Sequence, residues 1–309
     1  MSRYAILNFE DKIGSEGKGA ADSTIMALKY RYEQKRAPRG LKKIFVKGNV
    51  VEEYRCVKKN PVAFTTDPGA LLSIKEACAK ATKIYAILHG DPRTTDTAYT
   101  NAQVGVGVQQ LCTAQQLAAF LTKVLPAKGD FTLALVMCYG ARCRNYKSAN
   151  VYHQGSMPIE DLKTSFAYRL VYYLKEAGYA PTVTAVTGKI QHDHTSGRAL
   201  IEREELIDVN MELAETSRKF TQDAKPHGGG QEFKKTTGGQ AQFAQINALQ
   251  AQRTAIRKDL PAGDESNKYG KLVYRVRNGI LTIVNKYGAD GDNAVGPQTV
   301  LYSGAPVPP

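Results

Sequence analysis

The sequence predicts an α/β protein built on a mostly parallel, doubly wound sheet flanked by helices. Three observations carry this prediction. Apolar runs of strand length, such as residues 84–88 and 131–138, alternate with segments whose apolar residues recur at the helical period. The second of these runs is apolar at nearly every position, which is typical of a strand buried on both faces. Short connections join the strands and helices, as they do in βαβ units.

The elements follow from these patterns in chain order. Predicted strands are residues 4–9, 42–49, 50–57, 83–89, 131–138 and 182–190, followed by a hairpin of 271–277 and 280–286. Predicted helices are residues 20–36, 68–81, 114–125 and 158–178, with two more around 204–220 and 242–260. Asp67 and Pro68 open a helix as an N-cap and an N1 proline, and Thr113 caps the next helix. Asn278 and Gly279 between two β-rich runs are a strong hairpin signal.

The alternation of strands and helices stops near Glu202. From there to Ser266 the chain is helical in propensity, but residues 225–240 ("KPHGGGQEFKKTTGGQ") carry five glycines and a proline. Such a composition favours a flexible linker between two helices. We therefore expect an α/β core over 1–201, a helical, Gly-rich insertion over 202–266, and a β-hairpin that completes the core within 267–309, ahead of a C-terminal tail.

Composition narrows the classes of function. A chain of 309 residues with 42% hydrophobic residues can bury a core. No stretch reaches the roughly 18 apolar residues that a membrane helix needs, and the N-terminus lacks a signal-peptide pattern. The cysteines are odd in number and form no C-x-x-C pair, which favours reduced thiols in a cytosol-like compartment. They are Cys56, Cys78, Cys112, Cys138 and Cys143.

The positive charge is unevenly distributed. The net charge is +13, yet Arg203 to Asp259 holds nine Lys and Arg against eight Asp and Glu. The excess therefore lies outside the insertion and indicates an anionic partner. Charge alone leaves open nucleic acid, a membrane surface, a phosphorylated small molecule and an acidic protein.

Two predicted strands end on reactive side chains. One apolar run leads into His89 and Gly90, and the next ends at Cys138. In an open α/β sheet the functional crevice lies outside the carboxyl ends of the strands, so these residues can approach each other there. A thiol needs a nearby base to become a nucleophile at neutral pH, and histidine is the usual partner. The alternative for each residue alone is structural, as a strand-end histidine or a small core cysteine.

The order apolar strand, His-Gly, helix, apolar strand, Cys resembles the caspase-like (clan CD) cysteine peptidases. Within that clan the sequence is most similar to the autoprocessing cysteine peptidase domains of multifunctional RTX toxins and large clostridial toxins. The segments that carry the resemblance are "YAILNFEDKIGSEGKGAAD", "YAILHGD", "TLALVMC", "TAVTGKIQHDHTSGRAL" and "KYGKLVYRVRNGILTIVNKYG". The last of these is similar to the β-flap that closes those domains.

The resemblance implies roles for several residues. Cys138 would be the nucleophile of a cysteine endopeptidase and His89 the general base and acid, with the backbone N–H groups of Gly90 and Cys138 holding the oxyanion. Asp11 aligns with the carboxylate that orients the histidine in the clostridial members. The protein would be a bacterial toxin- or effector-type protease, delivered into a host cell by a route that needs no signal peptide.

The family is activated by inositol hexakisphosphate, so the resemblance also implies a basic pocket for this ligand, with no nucleic acid and no metal. The matching cations are Lys29, Arg31, Lys35, Arg36, Arg198, Lys271, Arg275, Arg277 and Lys286. Several converging Lys and Arg side chains bind a highly charged anion well. The alternative is a solvated basic surface.

Departures from the family leave other readings open. Leu88 and Met137 replace the glycines that precede the family's histidine and cysteine. Because of these replacements, an alternative is a catalytically inactive module that binds a polyanion or a protein partner. A thiol transferase on the same Cys-His pair is a third reading. The insertion has no family counterpart, and residues 228–239 of its linker are a candidate site of self-cleavage. The "CYGARC" and "QHDH" segments lack the remaining ligands of a metal site.

Overall fold

The computed structural model describes residues 2–10, 20–33, 49–58, 63–100, 111–126, 129–144, 157–192, 199–202, 204–259, 266–267, 270–285 and 300–309. Over these residues the chain divides into two compact units. The first comprises Met1–Ile201 and Lys268–Pro309, and the second comprises Glu202–Asn267.

The strands are β1 (Arg3–Asn8), β2 (Val50–Arg55), β3 (Val57–Lys58), β4 (Ala63–Phe64), β5 (Lys83–Ile87), β6 (His89–Gly90), β7 (Thr97–Tyr99), β8 (Leu111–Thr113), β9 (Asp130–Val136), β10 (Ala180–Val186), β11 (Ile190–His192), β12 (Ala199–Glu202), β13 (Ser266–Asn267), β14 (Lys271–Arg277), β15 (Ile280–Asn285) and β16 (Val300–Gly304). The helices are α1 (Ala20–Glu33), α2 (Pro68–Lys80), α3 (Ala114–Val124), α4 (Ile159–Leu162), α5 (Phe166–Glu176), α6 (Glu204–Ala224), α7 (Gly230–Phe233) and α8 (Thr237–Asp259), with a 3₁₀ turn at Lys225–His227.

A central sheet of eight described strands organises the first unit, in the order β2-β1-β5-β9-β10-β14-β15-β16. Neighbouring strands from β2 to β10 run parallel, whereas β14, β15 and β16 add in antiparallel fashion. The predicted α/β protein with a mostly parallel sheet flanked by helices is confirmed. The strand β2 lies on one side of β1, and β5, β9 and β10 follow on the other side. The strand order therefore reverses between β1 and β5, and in an open sheet the carboxyl ends of two such strands flank a crevice.

Helices cover both faces of this sheet. On one face α2, α3 and α5 pack against the large core, which includes Leu7, Leu121 and Phe166. On the opposite face α1 packs through Ile25 and Leu28 in a smaller cluster. The same strands serve both faces because successive side chains alternate across a sheet.

Local side-chain bonds account for several helix ends. The Asp67 side chain accepts a hydrogen bond from Ala70 N at 2.7 Å at the start of α2, and Thr113 forms a capping box with Gln116 at the start of α3. The single helix predicted over 158–178 is wrong, because Ser165 caps α5 and thereby separates it from α4. Of the strand predicted at 42–49, residues 42–48 lie outside the described residues.

The C-terminal strands close the sheet. Asn278 (φ 49°) and Gly279 (φ 77°) join β14 to β15 in the left-handed region that a tight hairpin turn requires. Beyond β16 the chain returns to α5, where the Tyr168 hydroxyl donates to Val307 O at 3.0 Å and accepts from Val307 N at 2.8 Å.

The second unit is a pair of helices, α6 and α8, joined by a folded turn. The prediction of a flexible linker over residues 225–240 is wrong. The ring of Phe233 is buried and packs on Phe220, with ring centroids 5.3 Å apart. A Cβ atom on Gly239 would stand 1.9 Å from Phe233 O, so this glycine permits close backbone packing rather than disorder. Among the described helices, none is both long enough and apolar enough to cross a membrane.

Gly238 and Gly239 provide a matched pair of test sites in the first turn of α8. Gly239→Ala should destabilise the helix pair by about 1–3 kcal/mol because the new methyl group meets the Phe233 backbone. Gly238→Ala should stabilise it by up to about 1 kcal/mol, since nothing lies within 4 Å of its Cβ position and alanine favours helix. Hydrogen exchange of peptides from residues 204–259 measures both effects, and equal protection in the two variants would contradict the packing described.

Candidate active site

Three candidate functional residues lie at one level of the sheet, just beyond the carboxyl ends of β1, β5 and β9. The residues that align across these strands in the hydrogen-bonding register are Asn8, Ile87 and Val136. Glu10, His89 and Cys138 each lie two residues beyond their aligned residue. Because adjacent strands are about 4.8 Å apart and side chains two apart share a face, the three residues are neighbours on the α1 side of the sheet. The register thus places the predicted His89 and Cys138 just beyond the ends of two neighbouring strands.

The backbones of the histidine and cysteine segments touch. A Cβ atom on Gly90 would lie 1.9 Å from Cys138 O and 2.9 Å from the Met137 Cε atom. Only glycine permits this approach. Gly90 therefore holds the end of β5 against the residue that follows β9.

The turn at Cys138 is fixed by backbone hydrogen bonds. Tyr139 has φ 60°, a conformation that costs a non-glycine residue free energy and is often found at functional sites. Its N–H donates to Gly188 O at 2.9 Å, and its carbonyl accepts from Arg142 N at 2.9 Å. These bonds hold Cys138 at the surface of the turn, where it is half-buried.

Leu88 and Met137, which replace the family's glycines, are core residues, and the Cε atom of Met137 reaches Gly90. Both side chains are buried in the large core, on the face of the sheet opposite α1. Because side chains alternate along a strand, the residues that follow these two, His89 and Cys138, lie on the α1 face of the sheet.

Glu10 is the carboxylate that contacts the histidine. Its side chain is fully buried, and its Oε1 atom lies 2.9 Å from His89 Nε2. Its Oε2 atom accepts a hydrogen bond from Ala21 N at 2.7 Å, at the N-terminus of α1. Sequence reasoning assigned this role to the adjacent Asp11, which lies outside the described residues. The signal that was missed is spacing, since Glu10 continues the α1-facing positions 4, 6 and 8 of β1.

The contact with Glu10 selects the working nitrogen of His89. An ionised carboxylate accepts a hydrogen bond only from a protonated ring nitrogen, so the neutral imidazole carries its proton on Nε2. Nδ1 is then the nitrogen that can accept a proton from a thiol. An ionised Glu10 would also stabilise an imidazolium at His89.

Backbone groups of β11 surround the sulfur of Cys138. Ile190 N donates to Sγ at 3.4 Å, and the thiol donates to Ile190 O at 3.9 Å. The first hydrogen bond favours the thiolate, which is the nucleophilic form, and the longer second one favours the thiol.

The other four cysteines lie in a different environment from Cys138, because all four are buried. Burial raises the pKa of the Cys78, Cys112 and Cys143 thiols to about 12, and it raises that of Cys56 as well. They are therefore protonated and unreactive at neutral pH.

The cations predicted to form a basic pocket lie on two elements. Lys29 and Arg31 are on α1, where Lys29 Nζ is 4.0 Å from Glu53 Oε2 and the guanidinium of Arg31 stacks over Tyr32. Lys271, Arg275 and Arg277 alternate along β14 and face the α1 side of the sheet, since the residues between them point into the large core. Arg277 pairs with Asp130. The remaining predicted cations lie outside the described residues: Lys35, Arg36, Arg198 and Lys286.

Metal-binding chemistry has no support among the described residues, where no group of three or more His, Cys, Asp or Glu is placed to hold an ion. Of the "QHDH" segment, Asp193 and His194 lie outside the described residues. Comparison with protein-family models and with curated proteins finds no match for the chain.

Thiol labelling tests the distinction between Cys138 and the other cysteines. In the folded protein at pH 7, iodoacetamide should modify Cys138 at least about tenfold faster than any of the other four, because those are buried and protonated. Raising the pH to 9 should not make these four cysteines reactive, since pH 9 is still well below the pKa of the buried thiols. Peptide mapping by mass spectrometry gives the rates, and protein unfolded in urea, in which all five should react, is the control. Equal labelling of Cys112 or Cys143 in the folded chain would contradict the assignment.

Proposed function

We propose that the protein is a cysteine endopeptidase in which Cys138 is the nucleophile, His89 the general base and acid, and Glu10 the residue that orients His89. The observation that carries this proposal is the shared register of the three residues at the ends of β1, β5 and β9. A nucleophile, a base and an orienting carboxylate within one edge of a sheet form the arrangement on which acyl transfer depends.

The proposed reaction uses each group in turn. His89 Nδ1 takes the proton of the Cys138 thiol, and the sulfur attacks the carbonyl carbon of the scissile peptide bond. The negative charge moves to the carbonyl oxygen, where the backbone N–H groups of Gly90 and Cys138 would bind it. His89 then gives its proton to the leaving amine as the C–N bond breaks. Water, deprotonated by His89, hydrolyses the thioester and restores the thiol.

We further propose the caspase-like, toxin- or effector-type identity that the motifs resemble. Support comes from the order of the parallel strands, from His-Gly and Cys at the ends of neighbouring strands, and from the antiparallel β14 and β15 at the position of the flap. The substrate would be a protein or peptide.

The inactive-module alternative rested on Leu88 and Met137. Both side chains are buried in the core, although the Cε atom of Met137 reaches Gly90, the proposed oxyanion residue. The proposal of an active enzyme is supported by the alternation of side chains, which places His89 and Cys138 on the face opposite these two residues. Self-cleavage within residues 228–239 is also disfavoured, because a peptidase binds its substrate in an extended form and this segment is a folded turn.

Activation by inositol hexakisphosphate belongs to the same proposal. The cations of β14 and those of α1 lie on the same side of the sheet. Lys29, however, lies beside Glu53 of β2, which is five strands from β14 in the sheet order, a lateral span of about 24 Å. One inositol phosphate does not span that distance, so the proposal places the ligand on the β14 cations, where several charge-assisted hydrogen bonds can converge on it.

A peptide-library assay tests the proposed activity. Wild-type protein should cleave internal bonds of a subset of peptides, and Cys138→Ala should show no cleavage because the nucleophile is gone. Inositol hexakisphosphate should accelerate the wild type, and Arg275→Gln should weaken this response, whereas Lys175→Gln on α5 should not. Cleavage of the same peptides by wild type and Cys138→Ala would refute the proposal, and the same assay would show any self-cleavage as a shortened chain.

Amide substitutions distinguish the roles of the two adjacent acidic residues, Glu10 and Asp11. Glu10→Gln should lower kcat/KM by about 10²-fold or more, because an amide NH₂ facing His89 would stabilise the tautomer whose Nδ1 is already protonated. Asp11→Asn is the control and should change kcat/KM little. Steady-state kinetics on a peptide from the library gives both values, with circular dichroism to show that each variant is folded. A large loss in Asp11→Asn together with normal activity in Glu10→Gln would reverse the assignment.

A further inference from the structure

Helix α1 contacts the supports of both proposed catalytic residues. At its first turn, Ala21 N donates to Glu10, which in turn holds His89. One turn later, Thr24 Oγ1 lies 3.3 Å from Nδ1 of His192. Residues three apart lie on neighbouring positions of one helix face, so a single face of α1 makes both contacts.

The second contact leads to the thiol. His192 ends the three-residue strand β11, which begins at Ile190. The Ile190 N–H is the group that donates to Cys138 Sγ, and the Ile190 side chain packs against the α1 cluster. A strand this short makes few ladder bonds, so contacts at its two ends determine where its backbone lies.

We propose that Thr24 and His192 are positioning residues for the Cys138 thiol. Their hydrogen bond fixes β11 against α1 so that Ile190 N–H points at Sγ. This inference rests on the proposed role of Cys138 as the nucleophile, and it gives the "QHDH" segment a function that is neither catalytic nor metal-binding.

The physical argument concerns the direction of the Ile190 N–H. A hydrogen bond weakens steeply as its angle and length depart from the optimum, so a shift of β11 by a fraction of an ångström reduces the stabilisation of the thiolate. The thiolate can therefore be destabilised without any substitution of Glu10, His89 or Cys138. A variant at Thr24 should therefore change the reactivity of Cys138 although Thr24 does not touch the sulfur.

Alkylation kinetics of the full chain test the inference without assuming peptidase activity. Thr24→Val removes the hydroxyl at nearly constant volume and should slow iodoacetamide alkylation of Cys138 at pH 7 by about 3- to 10-fold, the range expected for one hydrogen bond. The pH of half-maximal alkylation should rise. Thr24→Ser retains the hydroxyl and should react like the wild type. Titratable groups on the elements that meet here are Glu10, Asp22, His89, Lys189 and His192, and the Thr24 variants leave all five unchanged.

A double-mutant cycle separates the proposed bond from general destabilisation. His192→Leu should slow alkylation to a similar extent, and Thr24→Val with His192→Leu should be no slower than either variant alone, because both remove one interaction. Thermal unfolding identifies variants that no longer fold; Thr24→Ala then replaces Thr24→Val, and His192→Gln replaces His192→Leu. Additive effects, or a slow Thr24→Ser, would overturn the inference.

Peptidase assays on the same variants distinguish the two levels of the proposal. Slow alkylation in Thr24→Val, together with a wild-type protein that cleaves no peptide, would support the positioning of the thiol and refute the proposed endopeptidase. Normal alkylation in Thr24→Val, together with peptidase activity that depends on Cys138, would refute the positioning role and leave the endopeptidase standing.

Discussion

The buried carboxylate of Glu10 is the interaction on which the arrangement of the site depends. A charged group with no exposed surface is tolerated only where partners compensate for its lost hydration. The partners of Glu10 include the Ala21 amide in the first turn of α1 and the imidazole of His89. The positive end of the helix dipole adds to the first contact. The end of β1, the start of α1 and the end of β5 are consequently held together.

Parallel strands explain why three residues far apart in sequence meet. In a parallel sheet all strands end at the same edge, and the register of β1, β5 and β9 places Glu10, His89 and Cys138 at one level. The close approach of Gly90 to the Cys138 carbonyl then sets the distance between the last two of these strand ends. Regular secondary structure therefore supplies most of the geometry, and one glycine and one carboxylate supply the remainder.

The limits of sequence reasoning follow from the same physics. His89 and Cys138 could be predicted because apolar runs show where buried strands end. Glu10 could not be separated from Asp11, because the choice depends on whether β-type alternation continues beyond the strand. The glycines near Gly239 indicated flexibility, but a glycine that permits backbone contact has the same sequence signature as one in a linker. The break at Ser165 was missed because the apolar period continues across it.

A polyanion that regulates this site would have to act through the position of α1. Lys29 contacts Glu53, and the side chain of Asn8 donates through Nδ2 to Glu53 at 3.1 Å. The Oδ1 atom of the same side chain accepts from Glu10 N at 2.9 Å, so a chain of contacts does reach the site. However, a half-exposed ion pair is worth about 1 kcal/mol at most, which limits this route to about fivefold. Displacement of α1 would instead disturb the Ala21–Glu10 and Thr24–His192 bonds together. Since a ligand shifts an equilibrium only by its differential affinity for the two states, strong activation requires that the anion bind one placement of α1 better than another.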